Sequence, residues 1–231
     1  YTYEIAPVFV LMEEVVLAKL RELGGWSNGD GIFCPGGSIS NMYAMNVARF
    51  QRFPESQREG NWALPRLALF TSQESHYSIL KGAAFLGIGT DNVRVVGTDE
   101  RGKMIPEELE KEIQRAKAEG ADSVAWNPHK MLTVGLQCSA FLLRDASGLL
   151  QRCHGAGATY LFQPDKFYDV TYDTGDKTLQ CGRRVDCLKL WLLWKAVGTE
   201  GLARRVERAF AFTRYMAEEV KRRDGFQLVL E

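Results

Sequence analysis

The chain reads as an α/β protein, a layered fold around a largely parallel sheet. Three observations predict this. Short apolar runs of strand length alternate with amphipathic stretches of helix length. Leu67-Ala68-Leu69-Phe70-Thr71 is apolar almost throughout, as in a strand covered on both faces. Glycine and proline punctuate the boundaries between the two kinds of segment.

The elements follow in order. Pro7 suits the first turn of a helix. Val8, Leu11, Met12, Val15, Leu20 and Leu23 then recur at near-helical spacing, and Gly24-Gly25 ends the run. Ile32-Phe33-Cys34 is a very short strand between two turn-rich stretches, the second being Pro35-Gly36-Gly37. Ser38 to about Gln51 predicts a helix with Ala44, Met45, Ala48 and Phe53 on its apolar side, followed by a loop from Arg52 to Pro65. After the strand at 67–71, His76 to Leu86 is helical and Asn92 to Val96 is a strand. Pro106 opens a helix carrying Leu109, Ile113 and Ala116 on one face, ended by Gly120. Val124 with its neighbours and Cys138 to Leu143 are strands. Arg183–Ala196 and Leu202–Arg223 read as two helices, the second with Leu202, Val206, Phe210, Thr213, Ala217 and Val220 in one stripe. Phe226 to Leu230 begins a final strand.

Composition narrows the function. With 45% hydrophobic and 25% charged residues, the 231-residue chain has the profile of an ordinary globular protein. Lys+Arg and Asp+Glu both number 29, so no basic excess exists to neutralise phosphates, and a nucleic-acid partner is not expected. No apolar run reaches the length that crosses a bilayer, and no membrane association is expected. The five cysteines are scattered and form no C-x-x-C pair, which points to reduced thiols in a cytoplasmic protein. His129 and His154 with Cys138 and Cys153 match no metal-ligand spacing, so no metal is expected. The start, Tyr1-Thr2-Tyr3-Glu4, has neither initiator Met nor basic leader and reads as the interior of a longer protein.

Two stretches resemble phosphate loops. Gly97 to Met104 fits G-x-x-x-x-G-K but puts Met where a P-loop needs a Ser or Thr hydroxyl, so it is read as an ordinary turn. Pro35-Gly36-Gly37-Ser38-Ile39-Ser40-Asn41 is better. Its glycines let backbone approach an anion, and a helix N-terminus behind it presents free N–H groups. It reads equally as a plain serine N-cap. Asn127-Pro128-His129-Lys130 follows the strand at Val124. By itself it is either a surface loop with two basic residues or a lysine held where burial depresses its pKa enough for Schiff-base chemistry.

In chain order, the glycine-serine turn, the histidine-led helix and Asn-Pro-His-Lys resemble the pyridoxal-phosphate-dependent group II amino-acid decarboxylases of fold type I. The likeness extends over Tyr1–Phe9, Gly36–Ala44, Phe70-Thr71-Ser72 with Ser75–Ser78, Tyr160–Lys166, Asp173–Lys177 and Gln180–Trp191. It is strongest to the branch acting on small acidic amino acids, cysteine sulfinate and glutamate among them. The resemblance implies a three-layer large domain over residues 1–200, with a junction at 120/121, and the start of a C-terminal small domain at 201–231. It implies pyridoxal 5'-phosphate as cofactor, a small acidic amino acid as substrate, and a homodimer. Lys130 would be the Schiff-base lysine. Ser38, Ile39 and Ser40 would hold the phosphate, with Asn127 and His129 adding contacts. His76 would stack on the pyridine ring and Tyr160 would return a proton to the substrate carbon. Read without the resemblance, His76 is a solvated helix-terminal residue and Tyr160 an aromatic on a Gly-rich loop. The family pattern also has a segment that this chain lacks at the Gly120–Ala121 junction, holding the aspartate that pairs with the pyridine nitrogen, and a C-terminal domain carrying a carboxylate-binding arginine.

Overall fold

The computed structural model describes residues 2–116, 123–126, 132–158, 162–180 and 182–228. They form two compact units, one of residues 1–65 with 120–193, the other of 66–119 with 194–231.

In the first unit, β1 (Asp30–Cys34), β4 (Ser123–Trp126) and β5 (Ser139–Leu143) form a sheet in the order β1-β5-β4. Both pairings are antiparallel, Ile32 facing Phe141 and Ala125 facing Phe141 from the other side. The largely parallel sheet expected from the sequence is thus corrected here. Twelve residues separate β4 from β5. A link of that length serves either direction, since a parallel crossover needs about a dozen residues, so spacing does not decide the pairing.

The period-two alternation of β1 and β5 sorts side chains onto two faces. Ile32, Cys34, Phe141 and Leu143 point to one, where they form a core with Tyr43, Val47 and Phe50 of α2 (Gly37–Arg52) and Leu149, Leu150 and Cys153 of α6 (Leu149–His154). α1 (Pro7–Leu23) lies on the other face. A Cβ on Gly31 would sit 3.2 Å from Leu17 Cδ2 and 2.9 Å from the Phe141 carbonyl, so glycine admits α1 at this distance. The result is helix, sheet, helix in layers, with every β5 residue buried.

The buried faces of both helices differ from those expected. α1 buries Val10, Glu13, Val16, Leu17 and Leu20, while Val8 and Val15 are more than half exposed. The helix is apolar around most of its circumference, so periodicity alone does not choose a face. α2 buries Ser40, Tyr43, Val47 and Phe50 at i, i+3, i+7, i+10, a stripe rotated from the one drawn through Ala44 and Ala48. α3 (Ser56–Glu59) and α6 were not anticipated.

In the second unit, β2 (Leu69–Ser72) and β3 (Val93–Val96) pair in parallel, as expected, with α4 (Ser78–Phe85) between them in the chain. Ala83, Ile88 and Val93 are its small core, flanked by Leu67, Leu69 and Ile79. α5 (Pro106–Ala116) is tied to β3, since Glu108 Oε2 accepts from Gly97 N–H at 3.0 Å. The false P-loop is indeed a turn. Asp99 Oδ1 accepts from the amides of Arg101 and Lys103, both at 2.9 Å, closing the loop on itself. As expected, two helices follow, run together as α7 (Asp186–Lys221) across a kink at Gly198, φ 69° and ψ 174°, the residues before Trp194 belonging to the first unit. Its predicted stripe is covered at Leu202, but Phe210 is 52% exposed. Phe226 to Leu228 form no strand; the rest of that expected strand lies outside the described residues. Among the described residues no helix is long and apolar enough to cross a membrane, and no cluster of His, Cys, Asp or Glu could hold a metal ion.

Candidate active site

The glycine-serine turn lies where β1 feeds α2. Gly36 has φ 99° and ψ 160°, conformations that favour glycine, and it is the N-cap of α2 without a side chain to cap the helix. The amides of Ile39 and Ser40 are spent on the Gly36 carbonyl, both at 3.2 Å. Those of Gly37 and Ser38 have no partner among the described residues. A sixteen-residue helix therefore begins with two N–H groups that are unspent among the described residues, at its positive pole.

The three predicted phosphate residues differ in what they offer. Ser38 is half-buried at the head of the helix. Ile39 packs its side chain against the core. Ser40 is fully buried, and its hydroxyl donates to the Gly36 carbonyl at 3.4 Å, so it secures the turn from within. Ser38 and the two leading amides are thus the donors without a partner among the described residues. This uncapped, glycine-edged terminus fits the phosphate end of pyridoxal 5'-phosphate.

A cavity of about 660 Å³ opens beside the turn, lined by Phe33, Cys34, Pro35, Gln137, Arg183 and Arg184 among others. That volume is in the range of small-molecule sites. Its floor is held by a buried ion pair. Arg183 Nη1 and Nη2 meet Glu13 Oε1 and Oε2 at 2.5 and 2.8 Å. Arg183 also donates to Thr174 Oγ1 at 2.8 Å, and Glu13 Oε1 accepts from Phe33 N–H at 2.9 Å. One wall is held by Lys189, which donates to the Gln137 carbonyl at 2.5 Å and pairs with Asp186 at 2.7 Å. Burial pushes the Cys34 thiol up to about 12, so it is not a nucleophile at neutral pH.

Behind the turn, Tyr43 anchors the chain leading to Arg183. Its hydroxyl lies 2.7 Å from Thr178 Oγ1 and accepts from Leu179 N–H at 2.8 Å. Glu13, Gln137, Tyr43 and Arg184 were not singled out from the sequence. One signal was available for Glu13: it sits at i+3 from Val10 and i−3 from Val16, a carboxylate inside an apolar stripe.

His76 belongs to the second unit, two residues ahead of α4. Its Nδ1 accepts from Ser78 N–H at 3.2 Å and lies 2.9 Å from Ser78 Oγ. An Nδ1 that accepts from an amide leaves the ring proton on Nε2 in the neutral form. The ring is exposed and lies 4.2 Å from that of Tyr77. Asn127, His129, Lys130 and Tyr160 lie outside the described residues.

The model of the pyridoxal-dependent decarboxylase conserved domain matches residues 1–121 and 117–231. Mouse cysteine sulfinic acid decarboxylase is 58% identical over 291 residues, which take in all of this chain and 59% of that protein. The acidic amino acid decarboxylase of Xenopus tropicalis is 52% identical over the whole chain and 57% of its own length. The crystal structure of mouse CSAD superposes with a TM-score of 0.94 at 57% identity, over all of this chain and 60% of that one. Rice TDC, solved with PLP and tryptamine, shares the fold at a TM-score of 0.85 and 20% identity, over all of this chain and 61% of its own. The chain therefore spans about three fifths of the relatives it matches. The 291 matched residues of the mouse protein face 231 here, a difference of 60, and the domain match breaks at 117–121. Fold and sequence agree: the chain belongs to the pyridoxal-dependent decarboxylase family, in the group that includes cysteine sulfinic acid decarboxylase.

Proposed function

We propose that the protein removes the α-carboxylate of a small acidic amino acid, foremost L-cysteine sulfinate, giving hypotaurine on the route to taurine. L-Aspartate, giving β-alanine, is a second substrate in this reading, and L-glutamate, giving γ-aminobutyrate, is the alternative. The observation that carries it is the 58% identity to mouse cysteine sulfinic acid decarboxylase along the entire chain. Pyridoxal phosphate, when bound, supplies the electron sink for the pair left on Cα as carbon dioxide departs. The chain's residues do the rest. The amides of Gly37 and Ser38 and the Ser38 hydroxyl hold the phosphate. Ile39 and Ser40 hold the turn, with Asn127 and His129 adding contacts. Lys130 offers its amine to the cofactor aldehyde. His76 covers the ring with its flat face, and Tyr160 returns a proton to Cα. Residues 1–200 form the cofactor domain and 201–231 begin a small domain. The protein is cytoplasmic and homodimeric in this reading.

A second reading rests on the 60 relative residues without a counterpart. In the family pattern that segment holds the aspartate that keeps the pyridine nitrogen protonated. Loss of one partner of a buried charge pair costs about 3–5 kcal/mol, or roughly two to four powers of ten in rate. On this reading the chain pairs with a full-length subunit and does not turn over by itself.

One experiment separates them. The chain is mixed with pyridoxal phosphate, reduced with borohydride and mapped by mass spectrometry, and carbon dioxide release is followed from cysteine sulfinate, aspartate and glutamate. The first reading expects a pyridoxyl adduct on Lys130 and release fastest from cysteine sulfinate, both lost in Lys130→Ala. An adduct without turnover favours the second. No adduct, or full activity in Lys130→Ala, overturns the proposed chemistry.

A further inference from the structure

We propose that Arg184 is the anion-recognising residue of the cavity beside the glycine-serine turn, and that it binds a carboxylate or sulfinate of the substrate. The inference deepens the proposed function and rests on it for the identity of the ligand.

The argument is charge accounting around one cavity. Its lining carries two guanidinium groups, Arg183 and Arg184, and one carboxylate, Asp186. Arg183 is neutralised edge-on by Glu13. Asp186 is neutralised by Lys189 at 2.7 Å. That leaves Arg184, which is exposed at the cavity and makes no side-chain hydrogen bond or ion pair with a described residue. Its main chain is fixed, because the Arg184 carbonyl accepts from Asp186 N–H at 2.9 Å. A fixed backbone with an unspent fork of five N–H donors is the arrangement that takes a planar anion in bidentate fashion.

Gln180 adds an independent observation. It lines the same cavity, and its side-chain oxygen is buried without a partner among the described residues. An amide oxygen and a guanidinium in one cavity, both without a partner among the described residues, suit a ligand with both donors and acceptors, as an amino acid has. Arg183 and Arg184, adjacent in sequence, thus divide the work. The first is locked into the fold by Glu13 and the second is presented to the cavity.

The test uses unreactive probes, so that binding is read without turnover. Glutarate and its uncharged diamide, glutaramide, are titrated by calorimetry into the full chain with and without pyridoxal phosphate, whose uptake is followed by absorbance. The wild-type chain is expected to prefer glutarate. Arg184→Gln should weaken glutarate by roughly 10- to 100-fold, the scale of a charge-assisted pair, and leave glutaramide within about twofold. Arg184→Lys should recover part of the loss, keeping the charge without the fork. Near-ultraviolet circular dichroism confirms that the variants fold. Glutarate binding that is absent in the wild type, or equal in Arg184→Gln, overturns the inference. If the cofactor is taken up while glutarate ignores Arg184, only this inference falls. If glutarate depends on Arg184 while no cofactor is taken up, the inference stands and the proposed reaction falls.

Discussion

Glu13 and Arg183, 170 residues apart, meet through both carboxylate oxygens and both terminal guanidinium nitrogens, with each side chain less than a tenth exposed. This fork joins α1 to the segment before α7, and through Phe33 to β1. A pair so buried is dangerous to halve. Glu13→Ala should destabilise the fold by about 3–5 kcal/mol, because it leaves a guanidinium buried without its counter-charge. The double variant Glu13→Leu/Arg183→Met should be closer to wild type than Glu13→Ala. Denaturant midpoints of the three proteins check this, and equal loss in single and double variants would contradict it.

His154 predicts a pH dependence. Burial pushes its imidazole down to about 4, against the pull of the Lys177 carbonyl 3.2 Å from Nδ1. Its ring packs edge-on to that of Tyr43, with the ring centroids 4.8 Å apart. Because the folded pKa lies below the unfolded value of 6.5, the unfolded chain binds more protons between pH 6.5 and about 4. Stability from this group is complete above pH 6.5 and is lost as pH falls through that window. The loss is at most about 3 kcal/mol at 1.36 kcal/mol per unit. His154→Leu should flatten the pH–stability curve over the window; an unchanged slope would refute the assignment.

The thiols should be silent. Cys34, Cys138, Cys153 and Cys187 are all buried, and burial raises each to about 12 from 9.0. At pH 8 the thiolate fraction is then lower by roughly three powers of ten than for a free cysteine. Iodoacetamide followed by peptide mapping should leave these four unmodified in the native chain and label them in guanidinium. Native labelling of any of them would show that its surroundings open.

How far the sequence foretold this molecule depends on what each signal encodes. Strand positions were legible, because a buried strand such as β5 is a run of apolar residues. Pairing direction was not, since an apolar run looks alike in parallel and antiparallel ladders. The turn at Gly36–Ser40 was legible from glycine and serine beside a helix. What each serine does was not, because Ser40 turns inward on a stripe set by Tyr43 and Val47. The Glu13–Arg183 fork depends on a contact between distant segments that a single sequence does not record, although a carboxylate within an apolar stripe hints at it. Arg184 differs from Arg183 only by which of them meets Glu13.

Gly36 gives the sharpest test of the turn itself. Its φ of 99° disfavours any residue with a Cβ, and a Cβ placed there would lie 3.3 Å from Gln137 Oε1. Gly36→Ala should therefore cost about 1–3 kcal/mol in backbone strain and shift the leading amides of α2. Gly60 is the control, with φ 72° and nothing within 4 Å of the added carbon. Gly60→Ala carries similar strain without touching the helix terminus. Pyridoxal phosphate titrations should show affinity reduced by roughly tenfold or more in Gly36→Ala and unchanged in Gly60→Ala, the loss of one charge-assisted hydrogen bond being about 1.5–3 kcal/mol. Equal affinities in the two variants would mean that the phosphate does not bind at the head of α2.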